Sequence, residues 1–296
     1  MHFKKAKSLL SPQNGMNIFR GCTHGCIYCD SRSKCYGMDH DFEDVQVKIN
    51  APELLEQALS RKRRKCMIGT GSMSDPYIPI ETRLKLTRRC LEIIAKHGFG
   101  LAIQTKSTGI LRDLDLLKEI NETSKCVVQM TLTTYDESLC KIIEPNVSTT
   151  RERFEALKTL RDSGIPTVVW LSPILPFIND TEDNIRGILR YCVEAQVYGI
   201  ICFDMGLTLR EGNREYFYKK LDEHFPGLKQ KYHRTYGYSY VVPSPDNDKL
   251  MRIFHSECEK HEIVHNNDEI FAYMRTLDIR RQAEQLSLFD TSNEDT

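Results

Sequence analysis

The sequence contains no long apolar run. Nothing in its 296 residues approaches the roughly 18 apolar residues of a membrane span, so no membrane partner is expected. It also lacks net charge. Its 41 basic and 41 acidic side chains cancel, so no global field draws it to a polyanion, and any such contact has to come from a local patch. Residues 1–11 carry Lys4, Lys5 and Lys7 but only Leu9 and Leu10 ahead of Pro12, too little apolar length for a secretory signal. A cytoplasmic protein is expected. There is no internal repeat beyond the alternation described below, and no low-complexity segment. Cysteine, by contrast, is plentiful at 11 residues. The odd number and irregular spacing argue against a disulfide framework. Cys90, Cys126, Cys140, Cys192, Cys202 and Cys258 stand singly in apolar stretches, which reads as small buried hydrophobes.

Hydrophobic residues at 40% and charged residues at 28% suit a soluble globular protein. Strand-like runs are predicted near 15–20, 65–70, 100–105, 126–133, 166–171 and 199–204. Between them, apolar residues at three- and four-residue spacing predict helices over 52–63, 81–97, 111–122, 150–163 and 181–195, with another over 211–224. Pro52 suits a first helical turn, Thr150 an N-cap, and Gly98 and Gly164 C-terminal caps. Strands that each reach the next through a helix must be parallel. The chain is therefore α/β, and its parallel sheet is either doubly wound or curled into a barrel. Past Gly227 the rhythm stops. Helices are expected over 246–261 and 268–285, a short strand near 263–265, and a polar, acidic, disordered end. These features divide the chain into residues 1–226, a small α-rich extension at 227–284 packing on the first unit, and a flexible tail at 285–296.

The segment Gly21-Cys22-Thr23-His24-Gly25-Cys26-Ile27-Tyr28-Cys29 carries the chemistry. Three thiolates at this spacing can wrap one face of a cuboidal [4Fe–4S] cluster from a single loop. They hold three irons and leave the fourth open, whereas electron-transfer clusters normally take four cysteines. Gly21 and Gly25 let the backbone pass close to the sulfides. The alternative is a zinc site. Zinc sites usually pair two short Cys/His units; only one is present here, with His24, Cys35 and His40 as fourth-ligand candidates.

Cys-x3-Cys-x-aromatic-Cys resembles the signature of radical S-adenosylmethionine (SAM) enzymes, and the likeness extends from about Asn17 to Asp204. Within that superfamily the chain looks most like the spore photoproduct lyase-like, or DNA repair photolyase-like, group. The resemblance is carried by Gly69-Thr70-Gly71-Ser72-Met73-Ser74-Asp75-Pro76-Tyr77, Gln104-Thr105-Lys106-Ser107 and Ile143-Glu144-Pro145, and also by Ser163-Gly164-Ile165-Pro166 and Ser172-Pro173-Ile174-Leu175-Pro176. It implies a partial (β/α)6 TIM-type barrel with its ligand groups at the C-terminal ends of the strands. It further implies a [4Fe–4S] cluster on Cys22, Cys26 and Cys29 and SAM on the open iron, with Tyr28 near the adenine. An external flavodoxin- or ferredoxin-like electron donor is implied as well.

The residues agree with this resemblance. Gly71 and its small neighbours let the backbone approach a ligand, and Ser72 or Ser74 can accept from an ammonium group. Lys106 offers a cation to a carboxylate. Thr131 and Thr133 carry hydroxyls suited to ribose or carboxylate. Lys106 can equally be a solvated charge, and Asp75-Pro76 a simple turn. One departure matters: the loop after the second strand carries a hydrogen-donating cysteine in spore photoproduct lyase, and that position here is Ser72. Its O–H bond is too strong to donate readily, so the same repair route is not expected. Cys35 is a substitute donor candidate.

Gln285-Leu286-Ser287-Leu288-Phe289 resembles the pentapeptide by which bacterial proteins dock on the DNA polymerase sliding clamp; Gln285, Leu286, Leu288 and Phe289 would be the anchors in an apolar groove. The competing reading ends the last helix there and folds it back on the barrel. Arg61-Lys62-Arg63-Arg64-Lys65 suits a solvated helix end, or a phosphate contact. The Tyr- and Arg-rich run at 232–240 either packs the barrel or stacks bases. The leading expectation is a radical SAM enzyme, a lyase in the spore enzyme's manner, acting on a DNA lesion or modified base. A peptide or small-molecule substrate is the alternative; a non-catalytic iron–sulfur or clamp-associated protein is a third, against which Lys106 and Ser74 stand.

Overall fold

Six short β-rich runs lie side by side in a computed structural model that describes residues 1–278. They are β1 (Gly15–Met16), β2 (Met67–Thr70), β3 (Gly100–Thr105), β4 (Cys126–Thr131), β5 (Thr167–Trp170) and β6 (Gly199–Ile201). Their order in space follows their order in the chain, and every pairing is parallel. A doubly wound sheet reverses strand order at a switch point. No reversal occurs here, so the sheet is a singly wound partial TIM-type barrel. β1 and β6 do not pair, and the barrel stays open along that seam.

Alternation along the strands sorts side chains by chemistry. Ile68, Leu101, Ile103, Val128, Met130, Val169 and Ile200 face outward and are buried with Leu91, Ile94, Leu117, Ile120, Leu157 and Ile188 of the surrounding helices. Each such side chain contributes about 1.5–3 kcal/mol by leaving water. The other face is less apolar: Gln104 lies opposite Gln129, and Thr131 opposite Trp170.

The C-terminal region closes the lower end of the barrel. Helix Asn247–Lys260 packs Leu250, Phe254 and Cys258 on the outer layer. Helix Asn267–Arg275 instead inserts Ile270 and Met274 among Met67, Ala102, Val127, Val168 and Ile201 of the inner face. The six cysteines expected to be buried hydrophobes are all buried. Among the described residues no helix is long and apolar enough to cross a membrane.

Several local expectations are corrected. The run expected as one strand over 15–20 is two: Gly15–Met16 joins the barrel, whereas Phe19–Arg20 pairs antiparallel with Gln46–Lys48 in a separate three-stranded sheet. Alternation cannot reveal a change of partner when the new partner lies far along the chain. The helix expected over 81–97 breaks at Lys85 (φ 51°). Both carboxylate oxygens of the buried Glu81 accept from the amides of Leu86 and Thr87 at 3.0 Å, so a second helix, Leu86–Lys96, starts on a side-chain cap. Thr149, rather than Thr150, caps helix Thr150–Asp162 in a capping box with Glu152. The Thr150 hydroxyl donates instead to the Thr134 carbonyl. The strand expected near 263–265 is a single bridge between Gly199 and Val264. A short antiparallel pair, Gly206–Thr208 with Val241–Pro243, was not anticipated. The sliding-clamp segment Gln285 to Phe289 lies outside the described residues.

Candidate active site

The cysteine loop leaves the top of β1 and is clamped from two sides. Gly21 (φ 92°) passes so close to the Phe42 carbonyl that a Cβ would lie 2.4 Å from its oxygen, and the Cys22 amide donates to that carbonyl at 3.0 Å. On the other side the Ile27 amide donates to Ile143 and the Asn146 amide to His24, at 3.0 and 3.1 Å. Cys22 and Cys26 are buried and Cys29 half-buried, all as free thiols. The backbone N–H groups of His24 and Asp75 point at the Cys22 sulfur. Burial, aided by Asp75, pushes the Cys22 thiol up to about 12, and burial raises Cys26 well above the usual thiol value. Such thiols do not ionise unaided; a metal core that replaces their protons suits them.

Behind the loop lies a polar network that sequence reasoning missed. The Tyr28 hydroxyl donates to one oxygen of Glu144, and Arg153 donates to the other. Arg153 also donates to the Thr131 carbonyl at 2.6 Å and to the Cys140 sulfur at 3.3 Å. Both members of this ion pair are fully buried. Burial works to raise the Glu144 carboxyl, but Arg153 and Lys106 outweigh it and hold it below the ordinary value. The only available signal was Ile143-Glu144-Pro145 among the family-like segments, which assigned Glu144 no role. An acid and an arginine nine residues apart announce no pairing.

Asp75 is more than a turn residue. Its carboxylate accepts from the amides of Tyr77 and Lys106, at 2.8 and 2.7 Å, and from the Thr105 hydroxyl at 2.7 Å. It thereby ties the loop after β2 to the end of β3. The Lys106 side chain points into the opening above the sheet, with its ammonium 5.9 Å from the centre of the Tyr28 ring. Burial alone would lower this lysine. Cys26, Glu144, Cys29 and Asp75 outweigh that cost and hold it above its usual value. Among the described residues its ammonium has no hydrogen-bond or ion-pair partner.

These groups surround a cavity of about 520 Å³ at the C-terminal ends of the strands. Tyr28, Cys29, Ser72, Lys106, Thr131 and Ser172 line it, and Phe203, Val241 and Pro243 form its outer edge. Four predicted site residues are therefore brought together with the cysteine loop: Tyr28, Ser72, Lys106 and Thr131. Ser74 is buried beside Asp75 and is not on the cavity wall. Gly71 (φ 99°) has a backbone role, since a Cβ there would lie 1.9 Å from the Gln104 carbonyl oxygen. Thr133 is fully buried away from the cavity, and its carbonyl accepts from Asn179 and Asn184. Cys35 is exposed and off the wall, 3.5 Å from an Arg210 nitrogen. The basic run at 61–65 is mostly exposed and precedes β2, at the opposite end of the sheet from the cavity.

The donor set fits an iron–sulfur group. Three free thiols come from one loop, with backbone N–H groups aimed at the Cys22 sulfur, and His24 is engaged with Asp75 at 3.6 Å. The adjoining cavity has the size of a small-molecule cofactor site, and Lys106 supplies a cation on its wall.

Fold and site together define a radical-type SAM barrel, and comparison with known proteins agrees. The model of the Radical SAM superfamily matches residues 16–192. The chain belongs to the radical SAM superfamily, and membership implies SAM and an iron–sulfur cluster as cofactors. An uncharacterized protein of Methanocaldococcus jannaschii is 38% identical over 56% of this chain and 62% of its own length. One of Mycobacterium tuberculosis is 30% identical over 80% of this chain and 71% of its own. The Radical SAM Nalpha-GlyT isomerase of Pseudomonas phage M6 is 27% identical over 57% of this chain and 34% of its own. In solved structures, spore photoproduct lyase complexed with dinucleoside spore photoproduct superposes with a TM-score of 0.60 and 14% identity, covering 88% of this chain and 76% of that one. At that identity the likeness speaks to the fold.

Proposed function

We propose that Cys22, Cys26 and Cys29 hold a [4Fe–4S] cluster, and that the enzyme acts on DNA carrying a lesion or a modified base. When bound, the cluster and SAM supply a 5′-deoxyadenosyl radical able to abstract a hydrogen atom from the substrate. The chain's own part is to bind, orient and exclude water. Lys106 pairs with the SAM carboxylate, Ser72 accepts from its amino group, Tyr28 packs near the adenine and Thr131 faces the ribose. Gly71 and Asp75 hold the Ser72 and Lys106 loops in place.

The substrate class rests on the rim of the cavity. Phe203 and Val241 are large apolar side chains left exposed there, and Tyr238 and Tyr240 are exposed in the segment that leads to Val241. Arginines are interleaved with them: Arg210 lies 5.2 Å from the centre of the Tyr240 ring and Arg214 6.0 Å from that of Tyr238. Aromatic faces beside guanidinium groups suit a single strand, its bases stacking and its phosphates paired. Tyr232, by contrast, is fully buried and belongs to the core, so the Tyr-rich run divides between the two roles. The names of the fold neighbour bound to a dinucleoside photoproduct and of the phage isomerase are in keeping with this reading. A lyase reaction would need a hydrogen source other than Ser72. Cys35, outside the cavity, is poorly placed to be one.

The test is anaerobic reconstitution followed by reduction in the presence of SAM, with 5′-deoxyadenosine measured by chromatography. The wild type should bind iron and sulfide and release the nucleoside. Cys22→Ala, Cys26→Ala and Cys29→Ala should each abolish both. Zinc in place of iron, or no cleavage, would remove the enzymatic reading. A flavodoxin- or ferredoxin-like protein is the proposed reductant. The segment Gln285, Leu286, Leu288 and Phe289 is proposed to recruit the enzyme to a bacterial sliding clamp. Clamp pull-down should be lost in the Leu288→Ala/Phe289→Ala variant, and an unchanged yield counts against recruitment.

A further inference from the structure

A second cavity of about 760 Å³ lies deeper in the barrel and meets the first at Ser72 and Gln104, which line both. No role assigned above uses it. Its wall carries two carboxamides side by side, Gln104 and Gln129, in register on neighbouring strands. The indole N–H of Trp170 donates to the Gln129 oxygen at 2.9 Å. An indole can only donate, so this bond fixes the amide and leaves its NH2 as the free end. Among the described residues that NH2, and both ends of Gln104, have no hydrogen-bond partner. The Gln129 NH2 beside the Gln104 amide offers a donor next to a donor or acceptor, which suits a ligand with an acceptor next to a donor on one edge. Trp170 is half-buried on the same wall, 5.9 Å from Phe271 between ring centres. Arg275, on the helix that closes the lower end of the barrel, has its guanidinium 5.5 Å from the centre of the Phe271 ring.

A planar face and an edge-reading amide pair are what an extruded base requires. We propose that this second cavity is the nucleobase site of the substrate: the base stacks against Trp170, and Gln104 and Gln129 read its edge. The inference rests on the nucleic-acid reading above and assigns the target base a place separate from the cofactor.

Trp170 is the chain's only tryptophan and lines this cavity, so its fluorescence reports on it. The reconstituted enzyme with SAM is titrated with a fluorescein-labelled hexathymidylate, following label anisotropy and, with the unlabelled oligomer, Trp170 emission. Binding should quench Trp170, and Gln104→Leu and Gln129→Leu should each weaken binding roughly tenfold. Gln129→Glu keeps the shape but exchanges the donor end for an acceptor, and should weaken binding as much, which separates edge reading from a packing defect. Binding without quenching and without dependence on either glutamine would overturn the base site while leaving the nucleic-acid reading intact. Quenching by SAM alone, with displacement of the oligomer, would assign the cavity to the cofactor and overturn the proposal. No anisotropy change with wild-type enzyme would overturn the nucleic-acid reading, and this inference with it.

Discussion

Two clusters, each of a tyrosine, an acid, an arginine and a cysteine, flank the cysteine loop. Behind it, Tyr28, Glu144, Arg153 and Cys140 form a network in which the arginine and the acid are both 0% exposed. In front, Tyr36, Asp30, Arg210 and Cys35 form another, in which the arginine and the acid are 35% and 37% exposed. The hydrogen bonds correspond in part: Tyr36 donates to Asp30 at 2.6 Å and Arg210 to Cys35 at 3.5 Å, but Arg210 donates to Tyr36 at 3.0 Å and lies 3.5 Å from Asp30. What differs most is the surrounding medium. In the buried set neither charge can fall back on water, so each depends on the other and the set acts as a rigid wall for Tyr28. In the exposed set water replaces any lost partner at little cost, and the arginine can exchange Tyr240 or Asp30 for an incoming anion. The same kinds of side chain thus give scaffold on one side of the loop and a contact surface on the other.

Removing a charge from each cluster tests this contrast. Arg153→Met leaves the buried Glu144 carboxylate without the cation bonded to it and should lower stability by about 3–5 kcal/mol in urea unfolding. Arg153→Met/Glu144→Leu should recover most of that loss, because it removes the uncompensated charge as well. If the single change costs no more than a surface substitution, the network is not the wall described. An intermediate effect is expected at Lys106, which faces both the wall and the cavity. Lys106→Ala should weaken SAM binding on the order of thirtyfold, measured by calorimetry on the reconstituted protein. The smallest change in stability is expected at Arg210→Ala, about 1 kcal/mol or less. That variant should still bind oligonucleotide more weakly, with one fewer unit of salt dependence. A large loss of stability there would place the front cluster in the scaffold too.

The strands β2 to β5 and most of the helices were legible because their burial is periodic. An apolar residue at every second or third-to-fourth position states locally which face is covered. The cysteine loop was equally legible, since a single loop supplies the thiols and the spacing is itself the chemical requirement. Lys106, Ser72 and Thr131 could be placed near it because each lies at or just past the end of a strand, and in a parallel sheet all such ends meet.

Where one polar residue finds another far along the chain, local pattern is silent. Glu81 breaking a helix at Lys85, Asp75 joining two loops and Glu144 meeting Arg153 are all of this kind. Thr131 and Thr133 make the same point from a single segment. They are two residues apart, yet one reaches the cavity and the other is enclosed by Asn179 and Asn184, because the strand ends at Thr131 and alternation no longer holds beyond it.

From the sequence by itself came the α/β alternation, the thiol loop and the family resemblance, all properties of neighbouring residues. Tertiary structure alone decided that a buried ion pair backs the loop and that a second, amide-lined cavity lies beneath the first. Those features depend on which distant segments exclude water together, and water exclusion is a property of the assembled fold.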